Sequence, residues 1–452
     1  MSYKKYVLFL IAFALWGCST INEAHRAQKG EDLLPGERTV KASEIGVAEN
    51  TVLTLNKAIE ISLKYHPSIV QSTQSFLIAE KQFNDASAGY LPKVSSSGSS
   101  SRTTSSTDSG SGENITARTY SASVSVTQLI YDFGKTPASI RQAYEKKVSS
   151  EALLKLTQNN VVYNTFKAYY DLLKQQALLN VSEETERQYK IYLEEAKSLV
   201  EVGRRIKYDI TKAEVNLGNA QINLVSAING VTTARAILNN TLGLAEEPGY
   251  LVEDPPFKEI TQTNITSLFA IAQRNYPDLL SKQAEIKAAS AFIDQTIADL
   301  FPSFSVGGSY TGSGSKLPLD WNWSLRSIID LTLFRGGEKI NQINKAVASL
   351  GIARANLAQA EQSVYLELSR AISQLEESRQ RYAIAALVVK QAEENRILAE
   401  ERYKLGKASS IELTDALVSL TNARVSFIEA KFNYQTAIAL INKQIGLYKE
   451  SY

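Results

Sequence analysis

The chain is written twice. The segment KAIEISLKYHPSIV, starting at Lys57, matches SLFAIAQRNYPDLL, starting at Ser267, so that His66-Pro67 falls on Tyr276-Pro277 at a displacement of 210 (276 − 66). Leu91-Pro92 then falls on Phe301-Pro302 without a gap. Beyond that point the displacement becomes 203 (337 − 134): Gly134 of YDFGK meets Gly337 of LFRGG, Gly203 meets Gly406, and NNTLGL from Asn239 meets NKQIGL from Asn442. The shortening therefore lies between Pro302 and Gly337. Two homologous halves predict two copies of one supersecondary unit, which displaces the prior of about three domains that length alone would set.

Each half reads as helix, strands, long helix, heptad helix. The first helix is predicted from about Leu53 to Gly89 and its copy from about Ile265 to Asp299, each stopping just before an x-Pro. From Lys135 to Glu201 the last proline is Pro137, suited to a first helical turn, and from Glu338 to Lys404 there is none. Some 65 helical residues would reach roughly 100 Å, longer than a compact domain. In the next helix Ala213, Leu217, Ala220, Leu224, Ala227, Val231, Ala234 and Leu238 recur at steps of four and three, and their copies run from Ala416 and Leu420 to Ala437 and Ile441. Alanine at alternate seam positions lets a neighbouring helix approach closely, and the strict heptad period predicts coiled-coil packing.

Between helices the period changes to two. Residues 94–116 are so rich in Ser, Gly and Thr that composition alone suggests a linker. The residues after them alternate: Val124 and Val126 against Ser123 and Ser125, then Phe304, Val306 and Tyr310 against Ser303, Ser305 and Ser309, then Trp321, Trp323 and Leu325 against Asn322, Ser324 and Arg326. One aromatic-apolar face and one hydroxyl face describe a wall between lipid and water. Four strands cannot close a barrel and open edges are not viable in lipid, so several chains must share one.

The N-terminus reads MSYKKYVLFLIAFALWGCST: two lysines, a short apolar run and small residues, the pattern of a secretory signal over residues 1–17. Cys18 is the only cysteine, and Leu15-Trp16-Gly17-Cys18 resembles the lipobox of bacterial lipoproteins. That resemblance implies an acylated Cys18 anchoring the segment 18–50, with Ser19 next to it favouring the outer membrane. With one Cys, two His and a net charge of +2, the chain offers no disulfide, no His/Cys metal site, no Ser-His-Asp triad and no polybasic nucleic-acid surface. No cofactor is expected.

Signal segment, duplicated halves, strand hairpins flanked by very long helices, and Gly-x5-acid motifs together resemble the TolC family of outer-membrane channel proteins, from about Leu53 to Leu447. The fold class is accordingly mainly α with a small β part: a tandem-repeat tunnel of long helices plus four strands per chain in a shared twelve-stranded trimeric barrel. The corresponding divisions are repeat 1 at 51–244 with its hairpin at 93–131, a linker at 245–262, repeat 2 at 263–447 with its hairpin at 303–334, and a tail at 448–452. The resemblance implies a passive homotrimeric exit duct, gated at its periplasmic tip. It would meet outer-membrane lipid, a periplasmic adaptor protein and an inner-membrane transporter. A lipidated Cys18 resembles members served by proton-driven RND drug pumps, whereas YDFGK resembles those served by an ABC exporter in type I secretion; both stay open. A lipid-anchored coiled-coil scaffold or adhesin is the alternative.

Site expectations also rest on the resemblance. Gly203 and Gly406 mark the helix turns, and Glu412 and Asp415 match the pair of aperture acids. Three residues apart, they share one helix face, so a trimer would stack two acidic rings that favour cations. Ser409-x-x-Glu412 also fits a capping box. An enzyme using this acid pair is disfavoured, because two carboxylates on one exposed helix face lack an enclosing pocket. Tyr403 and Asp209 match gate contacts of the family, but Ala408 stands where an arginine is expected, leaving Arg204, Arg205 or Lys207 for that part.

Overall fold

The computed structural model describes residues 20–29, 38, 40–46, 51–106, 114–246, 248–257 and 264–447. The signal segment and Cys18 lie outside the described residues, as does the linker beyond residue 257. In chain order the elements are β1 (Val52–Leu53), α1 (Leu55–Tyr65), α2 (Pro67–Ser87), β2 (Lys93–Ser106), β3 (Asn114–Tyr131), α3 (Lys135–Glu201) and α4 (Lys207–Thr241). They continue with β4 (Leu251–Val252), α5 (Ile265–Asn275), α6 (Pro277–Ala298), β5 (Ser303–Gly314), β6 (Asp320–Asp330), α7 (Glu338–Lys404) and α8 (Ser410–Ile445).

The single opening helix expected in each half is two helices. His66 and Tyr276 adopt extended backbone (ψ 125 and 118) and the chain restarts at Pro67 and Pro277. The proline ring excludes helical backbone from the residue before it, while its missing N–H is no loss at a helix start. The NNTLGL and NKQIGL motifs explain why these breaks recur. A Cβ on Gly243 would lie 2.8 Å from the Tyr65 carbonyl, and one on Gly446 would lie 2.6 Å from the Asn275 carbonyl. Each half thus ends on a glycine that seats its own opening break.

α3 and α7 are each 67 residues long, with boundaries displaced by 203 at both ends. The seven-residue difference falls in the hairpin segment, where β2 and β3 have 14 and 18 residues against 12 and 11 in β5 and β6, partly offset by the residues that flank the strands. The expected packing of α4 and α8 is visible in their seams, where most of the heptad positions are buried or half-buried. Yet α8 buries far more besides, including Phe432, Ile438 and Ala439, while α4 buries little else than its seam alanines, Asp209, Leu238 and Asn239.

Compact units cut across the repeats rather than following them. One comprises Thr73–Lys155 and Pro277–Ser363; the other comprises Met1–Ser72, Leu156–Tyr276 and Val364–Tyr452. Helices as long as α3 and α7 make contacts local in space, so each unit draws on both halves. In the second unit a core gathers β1, α1, α3 and the end of α4 around Tyr169. The Tyr169 hydroxyl donates to the Leu53 or Glu253 carbonyl (2.8 and 2.7 Å) and accepts from the Glu253 amide (3.1 Å), pinning the parallel β1–β4 pair to α3. Burial pushes its phenol up to about 12.

The first unit holds the four-stranded antiparallel sheet, in the order β2-β3-β5-β6. Residues 94–106 are therefore strand, not linker. Cross-strand partners share a face, so the register sorts the side chains. Ser95–Ser125, Ser97–Ser123, Ser99–Ser121 and Ser309–Ser324 lie on one face, each pair joined hydroxyl to hydroxyl at 2.7–2.8 Å. Val94–Val126, Val124–Tyr310–Trp323 and Gly308–Leu325 lie on the other. At the helix end of this apolar face Phe133 packs against Tyr131, Phe301 and Phe304, and toward the opposite end Tyr310 stacks on Trp321 with ring centroids 4.7 Å apart. Gly312 lets the indole lie flat on the strand, since a Cβ there would sit 2.8 Å from the ring. Aromatic side chains thus cluster at the helix end of this face and again from the Tyr310 row to the Tyr120 row, with Val94, Val126, Val306 and Leu325 between them. Among the described residues no helix is long and apolar enough to cross a membrane.

Candidate functional site at the paired helix turns

The two turns are built alike. Past the end of α3, Gly203 takes φ 75 and its amide donates to Val200 O while Arg204 N donates to Leu199 O. After α7, Gly406 takes φ 73, its amide donates to Tyr403 O and Lys407 N donates to Arg402 O. This is the left-handed glycine cap that satisfies the last carbonyls of a helix, and it explains why the motif occurs once per half. α3, α4, α7 and α8 then share one core: Tyr189, Tyr192, Ala196, Ala213, Tyr403 and Leu413 are among its buried residues.

Over this core the turns interlock. Tyr403 is 1% exposed, and its ring meets Tyr192 edge-on at 5.6 Å. The Arg205 guanidinium lies 4.4 Å from the centre of the Tyr403 ring on its face and donates to Tyr403 O (3.3 Å) and Ala408 O (2.8 Å). A cation over a ring face that also closes two carbonyls holds the second-half turn from the first-half turn. Of the three basic residues considered for the place of the arginine absent at Ala408, Arg205 is the one drawn in; Arg204 and Lys207 are exposed.

Tyr403 forms no hydrogen bond with Asp209. Among the described residues the hydroxyls of Tyr403 and Tyr192 are both buried without a hydrogen-bond partner, although Asp209 is itself buried. Burial first, and then the neighbouring tyrosine and Asp209, push the Tyr192 phenol up; burial likewise raises Tyr403. Both phenols stay neutral at any physiological pH. Tyr192 was not legible in the sequence, since a single tyrosine inside a 67-residue helix carries no spacing signal.

Glu412 and Asp415 project from the exposed face of α8, while Leu413, Thr414, Ala416 and Leu417 between and beside them are buried. Ser409 caps α8 by accepting from Glu412 N (3.2 Å), but the Glu412 carboxylate lies 3.6 Å from Arg402 instead of closing a capping box. The repeat counterpart of exposed Glu412 is buried Asp209, so one motif position faces opposite ways in the two halves. Around the turn Lys404 bonds Glu400 (2.8 Å) and approaches Glu195 (3.8 Å), holding Glu400 below and Lys404 above their ordinary pKa values. An open groove of about 620 Å³ runs along Lys190, Ile191, Glu194, Glu195, Ser198 and Lys404. Among the described residues no cluster of three or more His, Cys, Asp or Glu side chains is placed to hold a metal ion.

Comparison with known proteins gives one consistent answer. The chain is 24% identical over 477 residues to the probable efflux pump outer membrane protein TtgC of Pseudomonas putida, covering 97% of this chain and 94% of the relative. It is 22% identical over 499 residues to the cation efflux system protein CusC of Escherichia coli O157:H7, covering 99% and 98%. Among solved structures, the Campylobacter jejuni CmeC outer membrane channel superimposes with a TM-score of 0.78 at 21% identity, over 88% of this chain and 87% of that one. The open-state Neisseria gonorrhoeae MtrE outer membrane channel gives 0.74 at 20% identity, over 87% and 89%. These likenesses fix the fold, and the family model described as "Outer membrane efflux protein" matches residues 58–244 and 268–447, covering both halves. The chain belongs to the outer membrane efflux protein family.

Proposed function

We propose that this outer-membrane protein is the passive exit duct of a tripartite efflux system, working as a homotrimer. The sheet carries the reading. It has one apolar and one hydroxyl face, and both edge strands, β2 and β6, lack an outer partner among the described residues of the chain. Edges of 14 and 11 residues in lipid would leave rows of amides and carbonyls unpaired. Three copies joined edge to edge would close a barrel with the hydroxyls inside. The helices support the same assembly: Tyr208, Val215 and Ile222 at seven-residue steps on α4, and Ile384 and Leu398 on α7 with Leu405 just past its end, are large apolar residues left exposed by a single chain. The scaffold alternative required residues 94–116 to be a linker, and paired strands remove that support.

In this duct the paired turns form the periplasmic tip. Glu412 and Asp415, exposed on one face of α8, would make two acidic rings in a trimer, and Arg205 would latch the tip closed. Transport by such a duct needs no catalytic residue. A periplasmic adaptor would dock on it and couple it to an inner-membrane pump, an RND transporter or an ABC exporter. Residues 1–17 would be removed, leaving Cys18 acylated, a point that the mass of the mature N-terminus would decide. The reading is tested by purifying the full chain from outer membranes and measuring oligomeric state and single-channel conductance in a planar bilayer. A trimer with small, cation-selective conductance is expected. A monomer that conducts nothing would end the proposal.

A further inference from the structure

The apolar face of the sheet carries a charge pair that lipid alone does not explain. Arg102 on β2 and Arg118 on β3 stand on this face as direct cross-strand partners. Both are exposed, and neither has a carboxylate within ion-pair distance among the described residues. Like charges directly opposite each other in an antiparallel pair repel. With their Cα atoms about 5 Å apart, the two guanidiniums can reach one anion lying between or above them, which would relieve the repulsion.

Their depth says what that is. Phe304 marks the belt at the helix end of the sheet, and ten residues further along β5 Gly314 pairs with Tyr120. Ten residues of strand span about 34 Å, or about 26 Å along the membrane normal at a usual tilt, the height of the apolar band in outer-membrane barrels. Arg102–Arg118 is the next row beyond Tyr120 on this face, roughly 7 Å further along the strand and away from the helices. That row falls at the headgroup level of the outer leaflet. One row further, Thr104 and Thr116 stand on the same face with their hydroxyls 3.2 Å apart.

We propose that Arg102 and Arg118, backed by the Thr104 and Thr116 hydroxyls, bind the phosphate of an outer-leaflet lipid headgroup, one site per chain. The site depends on the outer-membrane duct being the right reading of the chain. Guanidinium groups match phosphate with paired N–H donors and remain charged at all physiological pH values, so two of them offer a fork from either side. Tyr120, one row inward, would lie along the start of the acyl chains with its hydroxyl toward the headgroup. The ligand class is a phosphorylated lipid, and a phosphorylated glycolipid of the outer leaflet is the member that meets this end of the barrel.

The test uses the full chain, delipidated in detergent and then offered lipid A or the same glycolipid with its phosphates removed, with retained lipid counted by native mass spectrometry. Wild-type protein is expected to retain the phosphorylated form at least tenfold better, and R102Q/R118Q to lose that preference while R102K/R118K keeps part of it. Inorganic phosphate at millimolar concentration is expected to displace little. Equal retention of the two glycolipids by wild-type protein overturns the site, whatever the variants do, and so does an undiminished preference in R102Q/R118Q. Displacement of the glycolipid by millimolar inorganic phosphate would also overturn it, because the site would then be one for a free anion. Conductance of the wild-type protein in a glycolipid-free bilayer separates the two ideas. If conductance survives and lipid preference is absent, only the site fails; if both are absent, the membrane reading fails as well.

Discussion

Arg205 ties the two glycine turns together. The position of the expected arginine is Ala408, and Arg205 from the opposite turn reaches the Ala408 carbonyl instead. Arg205→Ala removes two charge-assisted bonds and a ring contact, expected to cost about 1–3 kcal/mol locally. Amides of both glycine turns should exchange faster and conductance should rise; Arg205→Lys should not restore the wild-type values, because an ammonium lacks the planar fork. Unchanged exchange in the alanine variant would refute the latch. The ion pair beside it sets a pH dependence. Bonding to Lys404 holds Glu400 below its ordinary value of 4.5, so the stabilisation is complete above that value and disappears as the pH falls through the depressed one. Tip amides should therefore loosen on acidification below about pH 4.5, and Glu400→Gln should abolish that response. At this scale the sequence was partly legible. The glycines announced themselves by repetition, whereas the choice among Arg204, Arg205 and Lys207 depended on which of three neighbouring side chains the fold brings over a tyrosine from the other half of the chain.

At the scale of elements, the glycine that ends each half allows a close backbone approach that no other residue permits. Gly446→Ala would need a left-handed backbone for a residue with a side chain, and its Cβ would stand 2.6 Å from the Asn275 carbonyl. A loss of about 2–4 kcal/mol is expected from strain and clash together, read as a lower thermal midpoint; an unchanged midpoint would mean that the break yields easily. On the sheet, Gly312→Ala should push Trp321 off the strand and change its fluorescence without altering conductance, since in the proposed barrel that ring faces lipid. The long helices and the hairpin spacing were readable from period and from absent prolines. The division of each opening helix was not, because periodicity runs straight through His66-Pro67, and only the geometric effect of proline on its predecessor separates α1 from α2. Likewise, the contrast between α4 and α8 was hidden. Their seams match position for position, and what differs is how many neighbours one chain supplies to each.

For the whole molecule, the duct reading makes the acid pair a property of the assembly. Glu412→Ala and Asp415→Ala should each raise single-channel conductance and lower cation selectivity, and the double variant should exceed either, because stacked rings of like charge act on the same ions. Helical content should not change, since both side chains are exposed. If conductance and selectivity are unaffected in both variants, these carboxylates do not line the aperture. The family and its fold were recognisable from the order of motifs. The shared barrel was inferred from four strands being too few, and the apolar residues left open on α4 and α7 add an argument that burial alone could supply. α3 and α7 have the same length, 67 residues, with identical offsets at both ends, and that equality bears on how such a chain can change over time. A single inserted residue in one of them would turn everything beyond it by about 100° and swing its seam away from its partners. The strand hairpins carry no such phase constraint, and it is there that the two halves differ most in length.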